Sequence, residues 1–291
     1  MQECVYLNGG VVPGDEARIS VFDAGLLHGA GLFETFRTYG RAPFRLDAHL
    51  ARMRKSAATL ELPAAWDDGD LERGVQRVLQ ANELADARVR ITVTAGDLHA
   101  QRDDGPPPCT TLITATKVEA TPPEHYRRGM TVCLSDFRLC RHDPLAGHKT
   151  LSYLARLRAL REAQRKQCGE ALWFTEERRL AEGCISSVFL VRGGLLLTPP
   201  IDTPALPGVT RAAVLELAAA QRIASQERPL TIDDVLAADE LFLTNSIFEV
   251  MPVCRVERHA VGDEKPGEIT RRLHEAYRDL VWKECRLAEE T

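Results

Sequence analysis

The stretch His148-Lys149-Thr150-Leu151-Ser152-Tyr153 follows the irregular run Pro144-Leu145-Ala146-Gly147 and carries a lysine at its second position. The residues from Leu151 to Gln167 then show the apolar spacing of an amphipathic helix. A lysine on such a support can project into a cavity, where burial lowers its pKa and exposes the lone pair that imine formation requires. Taken alone, a solvated lysine at the start of a helix is the more common explanation, because lysines are mostly exposed.

Glu182 is a second candidate, in the short apolar run Leu180-Ala181-Glu182-Gly183. A carboxylate in such a run costs free energy unless it is paired, and a protonated pyridine nitrogen would pair with it. The predicted helix and a predicted strand from Ala171 to Thr175 separate Glu182 from Lys149, which is enough chain to return to the same pocket. A solvent-exposed hairpin carboxylate is the alternative for Glu182 on its own.

Three further stretches could bind an anion such as phosphate. The run Leu206 to Arg211 introduces a helix predicted to begin near Thr210, where Gly208 permits a turn, Thr210 is suited to capping, and free backbone N–H groups form an anion site. Arg52 adds a guanidinium fork that suits phosphate. The hydroxyls of Thr244-Asn245-Ser246, at the end of a predicted strand, would complete a phosphate cradle. Each stretch has an ordinary alternative: a capped helix, a surface arginine and a simple turn.

Composition limits the classes of function. The 291 residues carry a net charge of −5 with scattered basic residues, so no nucleic-acid partner is expected. No apolar stretch approaches the roughly 20 residues of a membrane span. Eight cysteines without a CxxC pair, in a chain without a secretory leader, favour a reducing cytoplasm. No HExxH or clustered Cys/His spacing predicts a metal site, and neither GxSxG nor GxGxxG stands in its required context. A small molecule is the expected partner.

Strands and helices mix along the chain without strict βαβ alternation, which predicts an α+β fold. The length suggests two domains, and the Pro-rich polar run Val118 to Pro123 is typical of a linker, so we expect domains at residues 1–119 and 120–291. Other predicted elements are hairpins at Asn8-Gly9-Gly10 and Arg192-Gly193-Gly194, strands from Phe33 to Tyr39, Val89 to Thr94 and Glu240 to Thr244, and a closing helix from Gly267 to Arg286.

Further stretches continue the pattern in chain order: Asp23-Ala24-Gly25, Gly29 to Glu34, His49 to Met53, and Met251-Pro252-Val253. The whole series resembles the fold-type IV pyridoxal-phosphate enzymes, which are the branched-chain aminotransferases, D-amino-acid aminotransferases and aminodeoxychorismate lyases. This likeness covers nearly the whole chain. It implies a small α/β N-terminal domain and a larger C-terminal pseudo-barrel α/β domain carrying the cofactor lysine, with the cofactor between them, usually in a homodimer.

The same resemblance implies pyridoxal 5'-phosphate as the cofactor and gives each candidate a role. Lys149 would hold the cofactor as a Schiff base and shuttle the proton between the substrate α-carbon and the cofactor's C4′. Glu182 would bond the pyridine nitrogen, and Tyr153 the phenolic oxygen. The phosphate would be bound by Arg52, the backbone of Val209 and Thr210, and the region of Asn245 and Ser246.

The predicted substrate pocket follows no single subfamily. His28 stands where branched-chain enzymes usually have tyrosine, and Phe33 stands where D-amino-acid enzymes use a tyrosine to hold the substrate carboxylate. Arg90 matches an arginine that is common in the branched-chain group. Arg102, in the polar loop Gly96 to Pro108, is either a second carboxylate-binding candidate or a surface arginine.

We therefore expect a class IV aminotransferase that moves an amino group between an amino acid, with branched-chain amino acids among the candidates, and a 2-oxo acid by a ping-pong route. Leu145-Ala146-Gly147 and Asn245 look more like the lyase group, so a 4-amino-4-deoxychorismate lyase that eliminates pyruvate is the alternative. A non-catalytic relative that only binds the cofactor is a third hypothesis, because fold does not fix function.

Overall fold

Two compact units make up the computed structural model of the chain, which describes residues 3–100, 108–119 and 121–289. The first unit comprises Met1–Glu119, His148–Ser152 and Val281–Thr291, and the second comprises Ala120–Gly147 and Tyr153–Leu280. This division differs from the predicted domains in two segments. His148–Ser152 groups with the first unit because it pairs with a strand there, and Val281–Thr291 includes Glu284, which forms an ion pair with Arg45.

The first unit is built around one antiparallel sheet. Its elements are β1 (Cys4–Leu7), β2 (Gly10–Pro13), α1 (Ala24–His28), β3 (Gly31–Tyr39), β4 (Ala42–Pro43), α2 (Leu46–Thr59), α3 (Asp68–Ala81), β5 (Ala87–Thr94) and β6 (Thr111–Lys117). The strand order is β2-β1-β6-β5-β3-β4. Alternation along β5 buries Val89, Ile91 and Val93, and Leu50 and Val75 of the two longer helices belong to the same core.

The second unit contains a mixed sheet of nine strands. Its elements are α4 (Pro123–Arg128), β7 (Met130–Leu139), α5 (Leu154–Arg165), β8 (Glu170–Thr175), β9 (Leu180–Gly183), β10 (Ser187–Arg192), β11 (Leu195–Thr198), α6 (Val209–Ala220), β12 (Ser225–Glu227), α7 (Ile232–Leu236), β13 (Glu240–Asn245), β14 (Glu249–Val256), β15 (His259–Ala260) and α8 (Glu268–Glu289), whose last residues group with the first unit. The strand order is β12-β11-β10-β13-β14-β7-β8-β9, with β15 paired to β14. The predicted α+β class is confirmed.

Near candidate site residues, two helices begin at other residues than the sequence predicts. The helix predicted from Leu151 starts at Leu154, because the preceding residues extend along β3. Helix α6 starts at Val209 with Gly208 as its N-cap residue, so Thr210 lies within the first turn and does not cap the helix. Within the described ranges, no helix is long and apolar enough to cross a membrane.

Candidate active site

Lys149 is held by backbone pairing with β3 of the first unit. The N–H of Phe33 donates to the carbonyl of Lys149 at 2.9 Å, and the N–H of Leu151 donates to the carbonyl of Gly31 at 3.0 Å. A Cβ at Gly31 would lie 2.7 Å from the backbone carbonyl oxygen of Val93, so only glycine fits at this position of β3. The lysine is therefore carried by an extended, tethered segment rather than by a helix.

Two cationic side chains contact the ring of Phe33. Lys149 Nζ lies 4.4 Å from the ring centroid, and Arg90 Cζ lies 3.7 Å from it. The Phe33 ring is buried, while Arg90 is half-buried and donates from Nε to the Thr92 hydroxyl at 3.2 Å. An aromatic face attracts both cations, so the ring brings an amine and a guanidinium into one place.

Of the other two predicted substrate-pocket residues, His28 is not among the described contacts of the Phe33 ring. His28 is exposed at the C-terminal end of α1, where Gly29 adopts a φ of 68° as the C-cap. Arg102 lies outside the described residues, so its placement stays a prediction.

Arg52 is largely buried and forms a two-point ion pair with Glu34. Its Nε donates to Glu34 Oε1 at 2.8 Å, and its Nη2 donates to Oε2 at 2.6 Å. His49, one turn before it on α2, lies with Nδ1 2.8 Å from the same Oε2. This geometry excludes the surface-arginine explanation and fixes the direction of the guanidinium.

The Glu34 carboxylate is the electrostatic centre of this cluster, which consists of Glu34, His49 and Arg52. Burial pushes the pKa of Glu34 upward, but Arg52 and His49 outweigh burial and hold the pKa at about 2. Burial also lowers the pKa of His49 despite the neighbouring carboxylate. The cluster therefore contains an ionised Glu34 and a charged Arg52 at neutral pH.

In the second unit, Glu182 is buried and both of its oxygens accept hydrogen bonds. Arg156 Nη2 donates to Oε1 at 2.5 Å, and the Leu206 N–H donates to Oε2 at 3.0 Å. The side chain of Glu182 is only 3% exposed. The hairpin carboxylate in solvent is thus excluded. Sequence reasoning missed Arg156, although it lies in the first turn of α5, three residues after the N-cap residue Tyr153.

Tyr153 lies close to the same carboxylate. Its hydroxyl donates to the carbonyl of Cys184 at 3.2 Å, which is also an acceptor for Arg156 at 3.0 Å. Burial raises the pKa of Tyr153 to about 12, so the phenol is neutral at physiological pH.

The N-terminus of α6 is a candidate anion site. Gly208 is the N-cap residue of α6, and no side chain bonds the first N–H groups from this position. Within the described ranges, the buried hydroxyl of Thr210 has no hydrogen-bond partner. A Cβ at Gly208 would lie 2.6 Å from the Ser187 hydroxyl, so a larger residue there would displace this hydroxyl. Thr244, the cross-strand neighbour of Ser187, also has a buried hydroxyl without a partner among the described residues. A buried hydroxyl without a partner is costly, and an anion at the helix terminus would satisfy it.

Asn245 serves mainly to brace a turn. Its Oδ1 accepts from the N–H groups of Ile247 at 2.8 Å and Phe248 at 2.9 Å, and its Nδ2 donates to the carbonyl of Ile185 at 3.2 Å. Ser246 is half-buried in the same turn. The contacts of Asn245 are therefore those of a simple turn. The nearby buried hydroxyl without a partner among the described residues is that of Thr244.

Glu170 is a buried carboxyl group that sequence reasoning missed. It accepts from the N–H groups of Cys184 at 3.0 Å and Ile185 at 3.3 Å and from the Ser186 hydroxyl at 3.0 Å. Burial raises its pKa, and these hydrogen bonds only partly offset the increase. Glu170 therefore braces the turn that directly follows Glu182. Its position at the start of the apolar run Ala171 to Phe174 was the available signal.

Each unit carries groups of a kind that suits part of a pyridine cofactor with a phosphate. The first unit carries the Lys149 amine and a cation held by Glu34. The second unit carries a buried acceptor, Glu182, and a helix N-terminus with a buried hydroxyl that has no partner among the described residues. A phosphate is an acceptor and an anion, which matches the donors at α6. In the part of the chain that the structure describes, no group of three or more His, Cys, Asp or Glu side chains could hold a metal ion.

A family model described as amino-transferase class IV matches residues 31–256. A protein of Methanocaldococcus jannaschii, "Putative branched-chain-amino-acid aminotransferase", is 34% identical over 282 residues, with 96% of each chain covered. The aminodeoxychorismate lyase of Bacillus subtilis is 31% identical over 287 residues, covering 95% of this chain and 94% of the relative. The branched-chain amino acid aminotransferase of Thermobaculum terrenum, solved in its PLP-form, superposes with a TM-score of 0.86 at 26% identity, covering 97% of this chain and 94% of that one.

The chain belongs to the class IV aminotransferase family. The predicted family and the predicted fold class are both confirmed by these matches. They also make pyridoxal phosphate the cofactor of the site.

Proposed function

We propose that this protein is a pyridoxal-phosphate-dependent aminotransferase that moves an amino group between an amino acid and a 2-oxo acid. The observation that carries this proposal is Lys149, tethered to β3 with its amine over the Phe33 ring, in a chain of the class IV family. When bound, the cofactor supplies an electron sink for the carbanion that forms at the substrate α-carbon.

The chain's own residues would divide the remaining work. Lys149 would hold the cofactor covalently and, once the substrate amine has displaced its Nζ, would shuttle the proton between the substrate α-carbon and the cofactor's C4′. Glu182 would accept a hydrogen bond from the ring nitrogen, and Tyr153 would donate one to the phenolic oxygen. The phosphate would be bound by Arg52, the N–H groups of Val209 and Thr210, the Thr210 hydroxyl, and the turn of Asn245 and Ser246.

Arg90 is the proposed partner of the substrate carboxylate. Its half-buried guanidinium and the Lys149 amine contact the same aromatic ring, so one small amino acid could reach both groups. Phe33 would then form an apolar wall beside the substrate side chain. His28 and Arg102 stay as further proposed pocket residues, and branched-chain amino acids are the first donors to test.

Spectroscopy of the purified protein tests the proposal. We expect an absorption band of bound pyridoxal phosphate that changes when an amino donor is added. Lys149→Ala should lose this response and reduce turnover by about 10³-fold or more. The control is Lys117→Ala, which removes an exposed lysine at the end of β6 and should leave both properties unchanged. A wild-type protein whose spectrum ignores every donor, or a Lys149→Ala variant with normal turnover, contradicts the proposal.

A 4-amino-4-deoxychorismate lyase is the second candidate function. It is supported by the 31% identity to the lyase of Bacillus subtilis over nearly the whole of both chains. Product analysis separates the two activities. Pyruvate released from the chorismate-derived substrate without any 2-oxo acid acceptor identifies the lyase, whereas amino transfer that requires an acceptor identifies the aminotransferase.

We also propose that the chain works as a cytoplasmic homodimer. An apolar surface patch of the first unit supports the dimer, because contiguous exposed apolar patches commonly mark interaction sites. Two segments that carry exposed apolar residues adjoin, since the N–H of Leu98 donates to the carbonyl of Phe22 and the Phe22 ring contacts His99. Its exposed members are Ile19, Val21, Phe22, Leu26, Leu27 and Leu98.

Light scattering with size-exclusion chromatography tests the dimer. Leu26→Asp should shift the protein toward the monomer mass, while Leu236→Asp, at an exposed leucine of α7, should leave the mass unchanged. A wild-type protein that elutes as a monomer, or equal behaviour of the two variants, contradicts the proposal.

A further inference from the structure

Arg156 is the side chain that completes the surroundings of Glu182 inside the second unit. Besides its ion pair with Glu182, its Nη1 donates to the carbonyl of Cys184 at 3.0 Å, and the carbonyl of Gly183 lies 3.4 Å from the same atom. Its guanidinium carbon lies 5.4 Å from the centroid of the Trp173 ring. The guanidinium is therefore held by a carboxylate, by the turn that follows it, and by an aromatic side chain.

Two consequences follow for Glu182. A buried carboxylate stays ionised only if its charge is compensated, and Arg156 supplies that charge at hydrogen-bonding distance. A carboxylate also has about four lone-pair sites. Arg156 and the Leu206 N–H each occupy one site, one on each oxygen, which orients the group and leaves capacity for at least one more donor.

We propose that Arg156 is a positioning residue that fixes Glu182 as an oriented anion and thereby sets its strength as acceptor for the cofactor's ring nitrogen. This inference rests on the proposed function. Arg156 itself acts through Glu182. The titratable groups around the guanidinium are Glu182, Tyr153 and Cys184. Glu170 accepts from the N–H of Cys184 in the same turn.

A purely structural role would have a different signature. If Arg156 only braced the turn through the carbonyls of Gly183 and Cys184, its removal would weaken the fold by the same amount whatever residue stands at position 182. If it acts through the Glu182 carboxylate, its effect on the cofactor must disappear once that charge is gone, because coupled residues are not additive.

The test measures two properties of the purified protein: the Kd for pyridoxal phosphate added to the apoprotein, and the pH midpoint of the bound cofactor's absorption change. Arg156→Met should weaken binding about tenfold or more, because Glu182 is no longer held in place, and raise the midpoint by about one pH unit, because the Glu182 charge is no longer shared with a cation. Arg156→Lys, which keeps the charge, should restore the midpoint. Arg158→Met is the matched control on the exposed face of α5, where Arg158 pairs with Glu162, and should change neither property.

The same measurements in a Glu182→Gln background separate the two roles. There, Arg156→Met should change Kd by less than about twofold. An equally large effect in both backgrounds, or an Arg156→Met variant that matches Arg158→Met, overturns the inference while the proposed function stands. A wild-type protein that binds no pyridoxal phosphate overturns both. Should Arg156→Met fail to fold, Arg156→Gln keeps neutral donors to the turn and carries the same expected shift.

Discussion

Glu34 and Glu170 are two carboxyl groups with the same burial and opposite surroundings. Each is 1% exposed, Glu34 in the first unit and Glu170 in the second. Glu34 faces the charged Arg52 and the ring of His49, and its pKa is lowered to about 2. Glu170 accepts from backbone N–H groups and the Ser186 hydroxyl, and its pKa is raised. Burial alone therefore does not decide the charge of a carboxyl group; the charge of its partners does.

The two environments also suit different tasks. An ionised Glu34 holds a guanidinium in a fixed direction, which is what an anion-binding arginine requires. Glu170 holds a turn by accepting neutral donors, which needs little charge. Glu182 combines the two arrangements, since it accepts from Arg156 and from the backbone N–H of Leu206.

Removing the charge of Glu34 should have the largest effect on stability. Glu34→Gln leaves Arg52 buried without its counter-charge, and breaking a buried ion pair costs about 3 to 5 kcal/mol. Urea unfolding at pH 7.5 measures the loss. The control is Asp70→Asn, which breaks an exposed pair with Arg73 and should cost less than about 1 kcal/mol.

The pH dependence of this loss follows from the lowered pKa of Glu34. A carboxyl group with a folded pKa of about 2 and an ordinary value of 4.5 stabilises the native state above pH 4.5. That contribution is lost as the pH falls from 4.5 toward 2. The difference between wild type and Glu34→Gln should therefore shrink in this acid range. A difference that stays constant there would show that Arg52 does not hold the carboxylate ionised.

Glu170→Gln should have a smaller effect with the opposite pH trend. Its amide NH₂ would face backbone donors, which costs about 1 to 3 kcal/mol. Because the folded pKa of Glu170 is raised, its contribution to stability is complete below the ordinary value of 4.5 and is lost as the pH rises through the folded pKa. The loss caused by Glu170→Gln should thus be larger at pH 5 than at pH 8 in urea unfolding. The same trend in Glu34→Gln and Glu170→Gln would break the contrast between them.

Local patterns in the sequence were sufficient for several elements and candidate residues. The hairpin at Asn8-Gly9-Gly10, the strand that became β3 and the strand that became β5 follow from turn residues and β-branched runs, and the structure contains all three. The motif series was also sufficient for the family, which the family model confirms.

Contacts between distant residues were not predictable from the sequence. The sequence pattern predicts a helix from Leu151, just after Lys149, and does not show the pairing of this segment with β3, which joins residues more than a hundred positions apart. Arg156 and Glu170 meet their partners across 26 and 14 positions, and no local pattern encodes such a pairing. The pattern predicts Thr210 as a cap, because a one-residue shift in a helix start leaves the sequence pattern almost unchanged.

Substitution of His49 should have the smallest effect among the changes that test why the pKa values of Glu34 and Glu170 differ. His49 supplies Glu34 with an uncharged donor. A carboxylate only accepts, so His49 Nδ1 carries the proton in their 2.8 Å contact. His49→Asn places an amide N–H near the same position and should cost about 1 to 2 kcal/mol, mainly from lost ring packing. His49→Leu removes the donor and should cost about 1 kcal/mol more. Because burial lowers the pKa of His49 below 6.5, wild type loses stability as the pH falls below 6.5, and both variants should lose that dependence. Urea unfolding at pH 7.5 and 5.5 measures the free energy of unfolding of wild type and both variants. Equal stability of the two variants would mean that the His49 donor contributes nothing to it. Arg52 alone would then distinguish Glu34 from Glu170.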